Sequence, residues 1–222
     1  MNPLIQSKNT AILSVFIALT LACFGLSPQA RAVCQEGCDT VNFNTFLGDD
    51  ALVNNTTGFG NTDTGVGALD QNTTGYSNTA NGSGALSNNT TGFYNTANGF
   101  DALYNNIYGN LNTATGGQAL YSNTSGQNNT ASGFNAMAAA NTTGNDNTAI
   151  GAFALQFNAA GSNNIALGIS AGSNHTTGSN NIYIGSLGTA SEHTTIRIGA
   201  PSTHGRTFVA GISGVTVAGV SE

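Results

Sequence analysis

"NTANGSGALSNNTTGFYNTANGFDAL", Asn78 to Leu103, states nearly the same phrase twice. Asn78, Thr79, Ala80, Asn81 and Gly82 return 17 residues later as Asn95, Thr96, Ala97, Asn98 and Gly99. Followed outward, the opening Asn recurs as Asn44, Asn61, Asn78, Asn95, Asn112 and Asn129, and after one inserted residue as Asn147, Asn164 and Asn181. Four residues on stands a glycine each time: Gly48, Gly65, Gly82, Gly99, Gly116, Gly133, Gly151, Gly168 and Gly185. Three beyond that comes Ala51, Ala68, Ala85, Ala102, Ala119, Ala136, Ala154 or Ala171, usually followed by Leu or, at 137, Met. A second Asn and a Gly close most units, as in "NTTG" at 55–58, 72–75, 89–92 and 141–144.

A unit this short, with two Gly-marked bends, is too small for a helical hairpin and fits one coil of a parallel β-solenoid. Gly supplies the positive φ that corners demand, and Asn tolerates left-handed backbone while its amide can bond the identical amide one rung away. The expected fold is therefore all-β, with 17-residue rungs over 44–199. About nine rungs stacked ~4.8 Å apart make a rod on the order of 43 Å long.

Composition supports a repeat over disorder: only 6% of residues are charged, there are three Pro and no Trp, yet Phe59, Tyr76 and Phe93 recur at even intervals. In the late units, "NTAIG", "NIALG", "NIYIG" and "TIRIG" between 147 and 199 alternate cleanly, which predicts an apolar face built from Ile150, Leu167, Ile184 and Ile198. Earlier rungs put Thr64, Asn81, Asn98, Thr115 and Ser132 there, with Leu and the aromatics at 59, 76 and 93 as the expected compensation. Ordering a rung at ~1.5 kcal/mol per residue exceeds what two Ala, one Leu and one aromatic return alone. Rung stacking, ladder bonds and a neighbouring chain are expected to supply the difference.

The N-terminus carries Lys8, then the apolar run "AILSVFIALTLACFGL" from Ala11 to Leu26 and "QARA", which predicts a signal peptide over 1–32 cut before Val33. Its removal leaves Arg197 and Arg206 against all ten acids. Without a basic patch, neither a nucleic acid nor an anionic membrane surface is an expected partner, and no membrane insertion is expected after signal removal. The expected location is secreted or cell-surface. Cys34 and Cys38 in "CQEGC" occupy an N-terminal segment, 33–43, and export favours a disulfide, within or between chains, over a metal site. After Gly199 the pattern lapses into a Pro-containing stretch, 200–222, expected to be a cap or neck.

The "NTAIGxxAL" and "NxxxIG" units resemble the YadA-like head repeats of trimeric autotransporter adhesins. The longer "NTTGxxNTAxGxxAL" form ending in "TFVAGISGVTV" is similar to stalks that precede an endosialidase-type intramolecular chaperone, a domain not found up to Glu222. The resemblance covers roughly residues 42–217. It implies a left-handed β-roll assembled as a homotrimer and a role in attachment to an extracellular protein or glycan surface.

Signals of chemistry are weak beside the repeat. "GISAG" at 168–172 matches a nucleophile elbow, but Gly168 and Ala171 simply hold the repeat's Gly and Ala places, so Ser170 reads as a corner residue. His175 stands in the file of Asn55, Asn72, Asn89, Asn106, Asn123 and Asn158 and, like His193 and His204, is expected at the surface. Asp49, Asp50, Asp63, Asp70, Asp101 and Asp146 share no single column and are expected in solvated turns. No catalytic residue, cofactor or metal is expected. The leading expectation is a non-enzymatic adhesin or fibre head. The alternative is an ice-binding solenoid, using Thr45, Thr62, Thr79, Thr96, Thr113, Thr130 and Thr148 with Thr56, Thr73 and Thr90, although corner bonding competes for these hydroxyls.

Overall fold

The computed structural model describes residues 36–139 and 142–200. The chain divides into two units, Met1–Val33 and Cys34–Glu222, and all described residues lie in the second. The expected signal peptide, Cys34, His204 and nearly all of the C-terminal segment lie outside the described residues.

Eleven strands form one sheet in sequence order: β1 (Glu36–Asp39), β2 (Asn44–Leu47), β3 (Thr62–Thr64), β4 (Thr79–Asn81), β5 (Thr96–Asn98), β6 (Thr113–Thr115), β7 (Thr130–Ser132), β8 (Thr148–Ile150), β9 (Ile165–Leu167), β10 (Ile182–Ile184) and β11 (Ile196–Ile198). The strands from β2 to β11 are parallel and pair at the repeat's spacing, so Thr62 faces Thr79 and Thr79 faces Thr96, except that one residue is inserted between β7 and β8 and the last turn is shorter, with Ile182 facing Ile196. Only β1 runs antiparallel, pairing Glu36–Asp39 with β2 at the sheet edge. The molecule is an all-β solenoid of about nine turns. No helix occurs among the described residues.

The rest of each rung is bonded to its neighbours as fully as the strands are. Leu52 N–H donates to Ala68 O at 3.0 Å and Leu69 N–H to Ala85 O at 3.0 Å, while Thr73 N–H donates to Thr90 O at 3.0 Å. Every wall thus places backbone donors and acceptors one rung apart, the condition a buried polar backbone must meet.

The interior differs from the expected one. The strands β3 to β10 bury their central residue and leave its flanks more exposed: Ala80, Ala97, Ala114, Ala131, Ala149 and Ala166 point inward, with Asp63 and Tyr183 in the same file, a partly buried Phe46 before them and the exposed Arg197 of β11 after them. Ile150, Leu167, Ile184 and Ile198 share one face, and that apolar face points outward, 38–51% exposed, instead of into the tube. Ala suffices at most rungs of this wall because the Ala51–Ala171 and Leu52–Leu155 files pack into the same interior cluster. The aromatics at 59, 76 and 93 do not line the core either; they stack on one another along the outside, with centroids 4.8–4.9 Å apart.

The corners also carry a surprise. The first Gly file has φ of 117–141° from Gly48 to Gly168, as expected, with Gly185 at 59°. The residues after the Ala file are left-handed too, although they are Leu: φ is 54° at Leu52, 53° at Leu103 and 47° at Leu155. Such backbone is costly for a bulky residue and persists where packing over-determines it. By contrast, the closing glycines such as Gly58 and Gly75 are not left-handed; a Cβ on Gly75 would overlap Asn72 Oδ1 and sit 2.5 Å from Asn89 Nδ2. These are glycines because of crowding, not torsion.

Candidate functional site

Two buried Asn files act as the clamp of the rod. Asn61 donates both its backbone N–H, at 2.8 Å, and Nδ2, at 3.1 Å, to Asn44 Oδ1 one rung away, and its Nδ2 also reaches Gly75 O at 3.0 Å. The backbone N–H to Oδ1 bond repeats at Asn78, Asn95, Asn112, Asn129, Asn147, Asn164 and Asn181. The second file converges on the same carbonyls: Asn72 Nδ2 donates to Gly75 O at 3.0 Å and to Asn55 Oδ1 at 2.8 Å. Each Gly carbonyl therefore accepts from two amides of its own rung, which explains why that Gly can carry no side chain. These residues are structural; the geometry brings them together as the repeat implied.

At the C-terminal end the files change together. His175 replaces the clamp Asn and is fully buried, not at the surface. Its Nε2 lies 2.8 Å from Gly178 O, a pure acceptor, so Nε2 carries a proton, and Nδ1 is hydrogen-bonded with Tyr183 OH at 2.9 Å. Tyr183 takes the inner place that Ala holds elsewhere. Its ring occupies the room left by Gly172, where a Cβ would sit 2.8 Å from the ring and 2.8 Å from Leu155 Cδ2, and by Gly188. Burial first, and then the neighbouring Glu192 carboxylate, hold the Tyr183 phenol above its ordinary value. Partial burial works to raise Glu192, but the Arg197 guanidinium, 2.7 Å away, and the Thr189 N–H outweigh it and hold the carboxyl below the usual range.

Ser170 has φ of 55°, which would suit an elbow, but Asp50, Asp101, Gln118, Asn135 and Phe153 in the same file share it at 52–60°. The strained backbone belongs to the repeat. His193 is exposed and accepts the Ser179 N–H at 3.1 Å. Cys38 lies in β1, and its pairing with Cys34 falls outside the described residues. Among the described residues no group of His, Cys, Asp and Glu converges in a metal-binding arrangement, and no helix is long and apolar enough to cross a membrane.

Asp63 is the residue that the sequence reading misplaced most. It is 1% exposed inside the tube, not in a solvated turn, and neither carboxyl oxygen has a hydrogen-bond partner. The strand period that put Ala80 inside could have shown this, since Asp63 is its counterpart one rung earlier.

No family model, curated protein or solved structure matches the chain.

The outward face of the sheet carries two continuous files of side chains. One file reads Thr45, Thr62, Thr79, Thr96, Thr113, Thr130 and Thr148, and then continues as Ile165, Ile182 and Ile196. The parallel file runs through Thr64, Asn81, Asn98, Thr115 and Ser132 to Ile150, Leu167, Ile184 and Ile198. The strands β3 to β10 thus present a charge-free face, polar in its first two-thirds and aliphatic in the rest. The other Thr file is spent internally: Thr56, Thr73 and Thr90 donate their hydroxyls to carbonyls of the next rung at 2.7–3.0 Å.

Proposed function

We propose that the chain is a non-enzymatic β-roll of adhesin or fibre-head type, which assembles with copies of itself and attaches to an extracellular protein or glycan surface. The observation that carries this reading is the aliphatic end of the sheet face, where Ile150, Ile165, Leu167 and Ile184 stand 38–47% exposed with no charge among them. Contiguous exposed aliphatic surface of this kind marks an interaction site. A second copy suits it, because like faces join without burying an ionised group, and the Ala-and-Leu interior leaves each rod short of apolar burial. Self-association leaves the remaining repeated walls free for many weak contacts, which multiply through avidity. The resemblance to YadA-like head repeats points to the same use and to three copies.

Light scattering on the purified chain tests this: a mass at a multiple of 22.3 kDa is expected. Ile184→Asp should reduce it to one copy and weaken retention on immobilised matrix proteins or glycans. A single-copy mass at every concentration would remove the proposal's basis.

A second reading has its own support. The Thr62–Thr148 file lies on the strands, its residues one rung apart and exposed from Thr62 to Thr130, so the corner bonding that competes for Thr73 and Thr90 does not apply to it. Such a row could order water at an ice surface. Ice-recrystallisation and thermal-hysteresis assays separate the two, because activity lost in Thr96→Lys supports ice binding and inactivity of the parent chain removes it.

A further inference from the structure

The inner file of the strand wall reads Phe46, Asp63, and then Ala at six consecutive rungs. Asp63 is therefore one rung from the end of the parallel stack, beneath a strand whose only other partner is the antiparallel β1. Neither of its carboxyl oxygens is hydrogen-bonded. From the strands packed on either side come Thr45, Phe46 and Leu47 of β2, and Thr79, Ala80 and Asn81 of β4, none of them ionisable. The interior cluster beside it contributes Leu52, Ala68 and Leu69. The neighbouring acids Asp49 and Asp50 are exposed, and Asp70 bonds Asn54 and Gln71 outside the tube. Asp39, at the end of β1, is engaged by Asn42 and Val41.

We propose that Asp63 is a proton-operated latch on the N-terminal end of the rod: with its carboxyl protonated the first rungs stay wound onto the stack, and on ionisation they loosen. Burying an unpaired carboxylate is far costlier than burying the neutral acid. Burial accordingly pushes Asp63 from 3.8 up to about 7. The sign follows from proton linkage. The wound form holds the proton more tightly than the loosened form, so stability of this end is greatest in acid, is lost as pH rises from about 4 to 7, and levels off above 7. The Asn42 and Val41 bonds hold Asp39 below its usual range, which puts its own titration beneath this window.

The test is hydrogen–deuterium exchange of the full chain between pH 5 and pH 8, corrected for intrinsic exchange, comparing peptides over 40–66 with peptides over 106–133. In the parent chain, opening of the first segment should rise about a hundredfold across that range while the second stays level. Asp63→Asn and Asp63→Ala should each abolish the rise, the second restoring the residue that the next six rungs carry. The latch is overturned if both segments follow one pH course, or if Asp63→Asn keeps the rise. The outcome is independent of what the rod attaches to.

Discussion

The two ends of the inner file break the same rule in opposite ways. Between them six rungs put Ala at the tube's centre; near the N-terminus Asp63 takes that place, and near the C-terminus Tyr183 does. Around Tyr183 the other files have changed to match: Gly172 stands where Leu belongs, Gly188 gives up its side chain, and His175 replaces Asn and hydrogen-bonds with the phenol. Around Asp63 the Leu file at Leu52 and Leu69 and the Asn file at Asn55 and Asn72 keep their usual letters, and its oxygens are left without partners. A repeat tolerates a large departure when the neighbouring files move with it, and registers a strained one when they do not.

The largest expected effect comes from undoing the matched end. Tyr183→Ala should cost about 3–5 kcal/mol of unfolding free energy, as for other buried aromatics. Gly172→Leu, which restores the repeat's own letter, should cost about 2 kcal/mol by overpacking against the ring. In the Tyr183→Ala background that cost should vanish, and a double-mutant cycle in denaturant reads the coupling. Additive losses would mean the two files are not matched.

Next in size is the mid-rod clamp, which neither end disturbs. Asn95 donates to Asn78 Oδ1 and Gly109 O and accepts from Asn112, so Asn95→Ala should cost about 3 kcal/mol by leaving buried groups unpaired. At the unmatched end the sign reverses: Asp63→Ala should stabilise by about 2–4 kcal/mol at pH 8 and by less at pH 5, following the carboxyl raised to about 7. Thermal unfolding at the two pH values checks both the sign and the trend. The smallest effect belongs to Ser170, whose left-handed φ belongs to its file; Ser170→Gly should stabilise by about 0.5–1 kcal/mol.

What the letters disclosed was the period, and with it the stacked Asn and Gly files, because identity at a fixed spacing survives any uncertainty about direction. What they concealed was which side of each strand is inside. In "NIALG" the Ala is the buried residue and the Ile and Leu are the exposed ones, so hydrophobic alternation marks a face without saying that it points outward. Packing with the Ala51–Ala171 and Leu52–Leu155 files decides this, and it has no signature in one strand. The left-handed Leu file was equally hidden, since nothing in the residue type announces a conformation it disfavours. His175 was assigned to its proper file but given the wrong exposure, because the partner that buries it, Tyr183, lies on another wall.

Register and facing are tested most directly by paired cysteines, with Cys23, Cys34 and Cys38 replaced by Ser. Thr79→Cys with Thr96→Cys places two outward side chains on adjacent parallel strands about 4.8 Å apart, within disulfide reach. Under mild oxidation this pair should crosslink within one chain almost completely, whereas Thr79→Cys with Ala97→Cys, one outward and one buried, should not. Equal crosslinking of the two pairs, or none in the first, would contradict a coil of 17 residues with Thr outside and Ala within.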